Sequence, residues 1–211
     1  MTSESLKAET AYVCIVDDDS EVCRSIELTL TSMGYSVHTF PAADEFLAQP
    51  SPGTPMTVLI DFLLPGMTGL GLCREIVARN LPCTFAVISG NADVSSAVQA
   101  MKMGAVDLLE KPFSRQSLLE VVNKAIEAAR GMAQRRVEEK ESASQLALLS
   151  TREREVFDAI TAGLVTKEIA GRLGISVRTV DVHRSRIKQK LGIDSPLQLA
   201  NLLAAVQRHS S

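Results

Sequence analysis

The sequence predicts an α/β domain on a doubly wound, five-stranded parallel sheet, joined by a helical linker to an all-α unit of four helices. Three observations predict it. Five short apolar runs alternate with helical stretches over about the first 120 residues, and strands alternating with helices imply a parallel sheet covered on both faces. From Ser114 the pattern is helical again. The charge also divides: residues 1–130 carry nine Lys and Arg against sixteen Asp and Glu, and residues 131–211 carry thirteen against nine. An acidic half joined to a basic half points to two domains with different partners.

Each element follows from local pattern. AYVCIV (11–16) is apolar and β-branched, a buried strand. A helix runs from about 20 to 33 with Val22, Ile26, Thr29, Leu30 and Met33 on one face, and Gly34 stops it. YSVHTF (35–40) is the second strand and PAADEFLA a short helix. TVLID is the third strand, ending on Asp61. GLGLCREIVARN (69–80) is a helix with Leu72, Cys73, Ile76 and Val77 inward. CTFAVIS (83–89) is the fourth strand. The helix at 93–104 turns Val94, Ala97, Val98 and Met101 inward, and VDLLEKP (106–112) holds the last strand. Nearly all-apolar strands fit burial on both faces, with right-handed crossovers between them.

A further helix, with Leu118, Leu119, Val122, Ile126 and Ala129 inward, runs into the polar stretch GMAQRRVEEKESASQ (131–145). The 3–4 spacing continues through 133 and 136, which favours a helical linker over a flexible one. Arg136 and Lys140 interrupt the seam, so pairing of two such helices stays open. LLSTREREVF (148–157) opens the second domain, where Ser150 and Glu153 form a capping box before an apolar run. Val156, Ile160 and Leu164 face inward. A short helix, a turn at Gly174-Ile175 and a helix capped by Ser176 then form a helix-turn-helix unit. SPLQLANLLAAV (195–206) is a fourth helix, with Ser195 as cap and Pro196 at its first position. The domains are therefore 1–125, a linker at 126–147, and 148–211.

The four cysteines, Cys14, Cys23, Cys73 and Cys83, match no metal or disulfide framework and read as buried thiols of a reducing compartment. MTSESLKAETAYV has no signal pattern, and no apolar run approaches a membrane span. A soluble cytoplasmic protein without a membrane partner is expected.

Chemistry gathers at one sheet edge. VLIDFLLPG (58–66) places Asp61 inside an apolar run, where an unpaired carboxylate is costly. Asp17, Asp18 and Asp19 follow the first strand, Ser89 ends the fourth, and Lys111 ends the fifth. Singly, each has a structural explanation as a cap or a turn. Together they line the carboxyl edge of one sheet, where ligands bind in such folds. Converging carboxylates repel unless a cation joins them, and a hard divalent ion such as Mg²⁺ suits few carboxylates completed by water and phosphate; Mn²⁺ is the alternative ion.

Residues 11–125 resemble the receiver domain of two-component response regulators, a flavodoxin-like fold, and the whole chain is similar to their FixJ subfamily. VDDD (16–19), IDFLLPGMTG (60–69), ISG (88–90) and EKPF (110–113) carry the likeness, in that order. The resemblance implies that Asp61 is the phosphoacceptor and that Asp17 and Asp18 hold the metal with Asp61 and the backbone carbonyl of Leu63. It implies that Ser89 and Lys111 meet the phosphoryl group, and that a cis peptide precedes Pro112. The chain departs from the pattern at Leu108, where the family places an aromatic ring that moves with the switch hydroxyl. A phosphatase with an aspartate nucleophile would want a second Asp at 63, which is Leu63.

Residues 148–207 resemble the LuxR/GerE-type DNA-binding domain through LSTREREVF, TKEIAGRLGIS and TVDVHRSRIKQKLG. The recognition helix is then 177–190. At 100° per residue Val177, Val180, Ile187 and Leu191 bury, and Arg178, Val182, Ser185, Arg186 and Gln189 face the major groove. Asp181 lies at the margin and Arg184 snorkels toward phosphate. Lys167, Thr179 and Lys190 are expected phosphate contacts. The implied partners are a sensor histidine kinase, promoter DNA, RNA polymerase and, once phosphorylated, a second copy of the chain. The protein is expected to be a regulator that activates transcription, rather than an enzyme.

Overall fold

The computed structural model describes residues 11–49, 56–90 and 94–192. The elements run β1 (Tyr12–Val16), α1 (Ser20–Ser32), β2 (Ser36–Phe40), α2 (Ala43–Leu47), β3 (Met56–Asp61), α3 (Gly69–Ala78), β4 (Cys83–Ser89), α4 (Val94–Lys102) and β5 (Leu108–Glu110). Then come α5 (Arg115–Ala147), α6 (Thr151–Thr161), α7 (Thr166–Leu173) and α8 (Val177–Leu191). The helix expected at 195–206 lies outside the described residues. The chain divides into two compact units, residues 1–134 and 135–211, so the division falls inside the expected linker, all of which is part of α5.

In the first unit the strands pair in parallel in the order β2-β1-β3-β4-β5. Period-two alternation sends each strand's side chains to opposite faces. Cys14, Val16, Val58, Ile60, Phe85 and Val87 pack on one face with α2, α3 and Ala100 of α4. Val13, Ile15, Leu59, Ala86 and Ile88 pack on the other with α1 and α5. Ile26 and Leu30 of α1 are fully buried, and each such side chain contributes roughly 1.5–3 kcal/mol. The central strands β3 and β4 are buried along their whole length, whereas β2, at the edge, is half-buried or exposed.

Three inward faces differ from expectation. In α1, Cys23 is covered and Met33, at 52% exposure, is not. In α3, Val77 lies in solvent beside buried Leu72, Cys73 and Ile76. In α4 the core takes Ala100, while Val98 and Met101 are exposed. Apolar spacing marks a stripe but not how much of it the sheet covers. In α4 the alanine side of that stripe is the covered one.

The second unit encloses its own core of Val156, Phe157, Ile169, Val180, Ile187 and Leu191. The capping box is formed: Ser150 Oγ accepts from Glu153 N–H, and Glu153 Oε2 accepts from Ser150 N–H at 2.8 Å. The turn between α7 and α8 depends on Gly174, whose φ of 66° is left-handed and suits a residue without Cβ. Ser176 then caps α8 through Thr179 N–H at 3.0 Å. Val177, expected inside, is 43% exposed at the helix start.

Candidate functional site

Parallel pairing brings the strand ends of the first unit to one rim. Val16 lies opposite Ile60, Asp61 opposite Ile88, and Ser89 opposite Glu110. The residues after β1, at the ends of β3 and β4, and after β5 therefore share an edge. The chain reverses its direction of winding between β1 and β3, which opens a crevice above them.

Asp17 and Asp61 are buried there, and Asp18 is exposed. One ligand atom from each of the three lies within 4.8 Å of the others. Asp19 has left this set: its carboxylate caps α1, accepting from Glu21 N–H at 2.9 Å and Val22 N–H at 3.2 Å. Lys111 reaches into the cluster, donating to Asp17 Oδ2 at 2.7 Å and to Asp61 Oδ1 at 2.8 Å. Leu63 N–H donates to Asp61 Oδ2 at 2.6 Å, so both Asp61 oxygens have a donor. The Leu63 side chain itself is 77% exposed. Lys111 N–H donates to the Ser89 carbonyl at 2.6 Å, tying the ends of β4 and β5 together. The Lys111-Pro112 peptide is cis.

The electrostatics follow from burial. Desolvation pulls the Lys111 amine down, and its hydrogen bonds to Asp17 and Asp61 more than reverse this, so its pKa lies above the ordinary 10.5. Burial pushes the Asp17 carboxyl up despite Lys111. The Cys23 thiol, donating to the Asp17 carbonyl at 3.3 Å, is pushed by burial to about 11 and stays protonated. Three carboxylates with a single ammonium among them form an oxygen-rich, electron-rich site, and that donor set fits a hard divalent cation.

Ser89 is buried at the end of β4. Leu108 is half-buried and lines an open groove with Ser89, Ala97, Val98, Met101 and Glu110. The groove thus runs from the acidic rim to the exposed apolar side of α4.

In the second unit Arg178, Asp181, Val182, Ser185, Arg186 and Gln189 are exposed on α8, and Lys167 is exposed on α7. Thr179 is half-buried and its hydroxyl shares a 2.8 Å hydrogen bond with Ser176. Arg184 donates to Thr166 Oγ1 at 3.2 Å. Lys190 differs from expectation: its amine donates to the Leu148 carbonyl at 3.1 Å and to buried Glu153 Oε2 at 2.7 Å. That pair, with the Ser150 amide, holds the Glu153 carboxyl at about 2. Sequence reasoning found Glu153 as a cap but missed its ion pair, because Lys190 lies 37 residues away. It also missed Gly69, whose α-carbon lies against the Asp61 carbonyl.

Comparison with known proteins agrees with these features. The response regulator receiver domain family matches residues 13–123, and the luxR family of bacterial regulatory proteins matches residues 147–203. The transcriptional regulatory protein TdiR of Thauera aromatica is 37% identical over 199 residues, covering 94% of this chain and 88% of that protein. The transcriptional regulatory protein FixJ of Bradyrhizobium diazoefficiens is 35% identical, covering 90% and 93%. Among solved structures, the response regulator StyR superposes with a TM-score of 0.75 at 34% identity, covering 94% of this chain and 99% of that one. Full-length FixJ from B. japonicum gives 0.54 at 34% identity, covering 93% and 97%.

Proposed function

The chain belongs to the transcriptional response regulators of two-component systems, a receiver domain joined to a LuxR-family DNA-binding domain, and from that membership we propose that Asp61 is its phosphoacceptor. The family is one of transcription regulators, not enzymes. The observation that carries the assignment is Asp61 itself: buried at a strand end, beside two further carboxylates, with a lysine amine on one oxygen and a backbone amide on the other.

The donor is a sensor histidine kinase. An Asp61 carboxylate oxygen attacks phosphorus, the bond from phosphorus to the donor nitrogen breaks, and an aspartyl phosphate forms. Transfer of this kind needs positioning and charge neutralisation more than covalent assistance. Asp17, Asp18, Asp61 and the Leu63 carbonyl would hold Mg²⁺, which supplies positive charge to the phosphoryl oxygens; nothing in the donor set favours Mn²⁺. The Leu63 N–H on Asp61 Oδ2 fixes the carboxylate plane. Lys111, already on Asp61 Oδ1, moves its ammonium to the phosphoryl group, and the Ser89 hydroxyl donates to it as well.

The new charge biases a two-state domain. Leu108 and the groove beside Ser89 repack without an aromatic ring, and exposed Val98 and Met101 offer an apolar face on which a second copy pairs. Pairing presents two α8 helices to a two-fold DNA site. Arg178, Asp181, Val182, Ser185, Arg186 and Gln189 face base edges, and Lys167 and Thr179 face phosphates; Lys190 is read as structural. Bound at a promoter, the dimer recruits RNA polymerase. No described helix is long and apolar enough to cross a membrane; the cytoplasmic location is proposed from the family.

The test is DNA footprinting on a selected site, with and without acetyl phosphate and Mg²⁺. Phosphorylation strengthens protection by the wild type and leaves Asp61→Asn unchanged. Equal protection by the wild type in both conditions contradicts the proposal.

A further inference from the structure

Gly69 opens α3, behind the Thr68 cap, and its α-carbon lies against the peptide that follows Asp61. A methyl group there would overlap the Asp61 carbonyl oxygen, with the Phe62 α-carbon at 2.9 Å and the Asp61 carbonyl carbon at 3.0 Å. All three atoms are backbone. They are anchored by the pairing of Asp61 with Ile88 and by Phe62 N–H donating to the Ile88 carbonyl at 3.1 Å. Gly69 N–H in turn donates to the Phe62 carbonyl at 3.1 Å. Gly69 is not among the residues of positive φ, so other residues could adopt its backbone conformation. What the site requires is space. Gly71 is different, because the atom nearest its hypothetical Cβ is a side-chain carbon, Met67 Cγ at 2.9 Å, and no backbone atom is among its three nearest neighbours.

Resting on the reading of Asp61 as phosphoacceptor, we propose that Gly69 is a positioning residue for that carboxylate. Its missing side chain lets the first turn of α3 seat on the Asp61-Phe62 peptide. That peptide sets where the Asp61 oxygens meet the Lys111 amine and the Leu63 amide. A Cβ at 69 displaces the peptide, and the carboxylate with it. A misplacement of about 1 Å can cost on the order of 100-fold in rate.

The experiment follows initial rates of label uptake from radiolabelled acetyl phosphate, over a range of donor concentrations at saturating Mg²⁺. Full-length wild type, Gly69→Ala, Gly71→Ala and Asp61→Asn are compared, with circular dichroism reporting the folded fraction. The expected result is a Gly69→Ala rate constant at saturating donor reduced about 100-fold. The half-saturating donor concentration and Gly71→Ala stay near wild type. A merely structural role lowers only the amplitude of labelling, in proportion to the folded fraction, and that outcome overturns the proposal. If Gly69→Ala is partly unfolded, the assay is repeated in trimethylamine N-oxide, which favours the compact state. A slow rate that persists in folded protein supports the proposal. Recovery of the wild-type rate, or failure to fold at all, assigns Gly69 to folding alone and overturns it. A wild type that takes up no label defeats the phosphoacceptor reading itself, whereas normal uptake by Gly69→Ala defeats only the positioning role.

Discussion

Lys111 places one ammonium between two carboxylates that burial would otherwise penalise, at 2.7 Å from Asp17 and 2.8 Å from Asp61. The carboxylates are 1% and 7% exposed and the lysine 23%, so water screens the trio only in part. Removing one member of such a set leaves uncompensated charge, at a cost of about 3 kcal/mol. Lys111→Met is therefore expected to lower the urea midpoint in chelator. Added Mg²⁺ then restores more stability than it adds to the wild type, because the acidic oxygens have lost their internal counter-ion. An equal Mg²⁺ effect on both proteins would show that Lys111 and the metal do not share these oxygens. The acidic residues and Lys111 were legible in the sequence because each follows a strand of one parallel sheet, and parallel strands share a carboxyl edge. Gly69 was not, since nothing in its neighbours announces which carbonyl its α-carbon approaches.

At the scale of elements, α8 is held from below by an ion pair as well as by its apolar face. Lys190 in its last turn meets Glu153 of α6 and the Leu148 carbonyl. We propose that a lysine held in this way does not neutralise DNA phosphate. Lys190→Met is expected to lower thermal stability while leaving the salt dependence of DNA binding unchanged. A phosphate contact would instead reduce the slope of log affinity against log salt by about one. The same pair gives the second unit an acid limit. Glu153 is held at about 2, below its ordinary 4.5. A depressed carboxyl contributes stability above the unfolded value and loses it as pH falls toward the folded one. The contribution is thus complete above about pH 4.5 and drains away toward pH 2. In acid titrations followed by helical signal, Glu153→Gln should lack this component, and identical profiles for the two proteins would contradict the assignment. Among the described residues, element order and type were legible from apolar period and caps. The covered faces were less so: Met33, Val77, Val98 and Met101 satisfy helical spacing yet remain in solvent, because spacing does not say how wide a strip the sheet covers. The Lys190 pair was hidden for another reason, since a contact 37 residues long depends on how three helices close together.

For the whole molecule, an acidic unit whose strand ends carry the proposed phosphoacceptor and a basic unit with an exposed α8 would divide reception from output. The sequence already showed that division in its charge, net −7 before residue 131 and net +4 after it. The basic half suits a polyanion, to which affinity falls with salt. The acidic half suits cation binding at its strand ends. In the proposed function, coupling between them depends on a covalent change at Asp61. The most direct measurement is reductive trapping. The wild-type chain is incubated with acetyl phosphate and Mg²⁺, then treated with borohydride, which reduces an aspartyl phosphate to homoserine. Peptide sequencing is predicted to find homoserine at position 61 and aspartate at positions 17, 18 and 19. Homoserine at another position, or unmodified aspartate at all four, would contradict it.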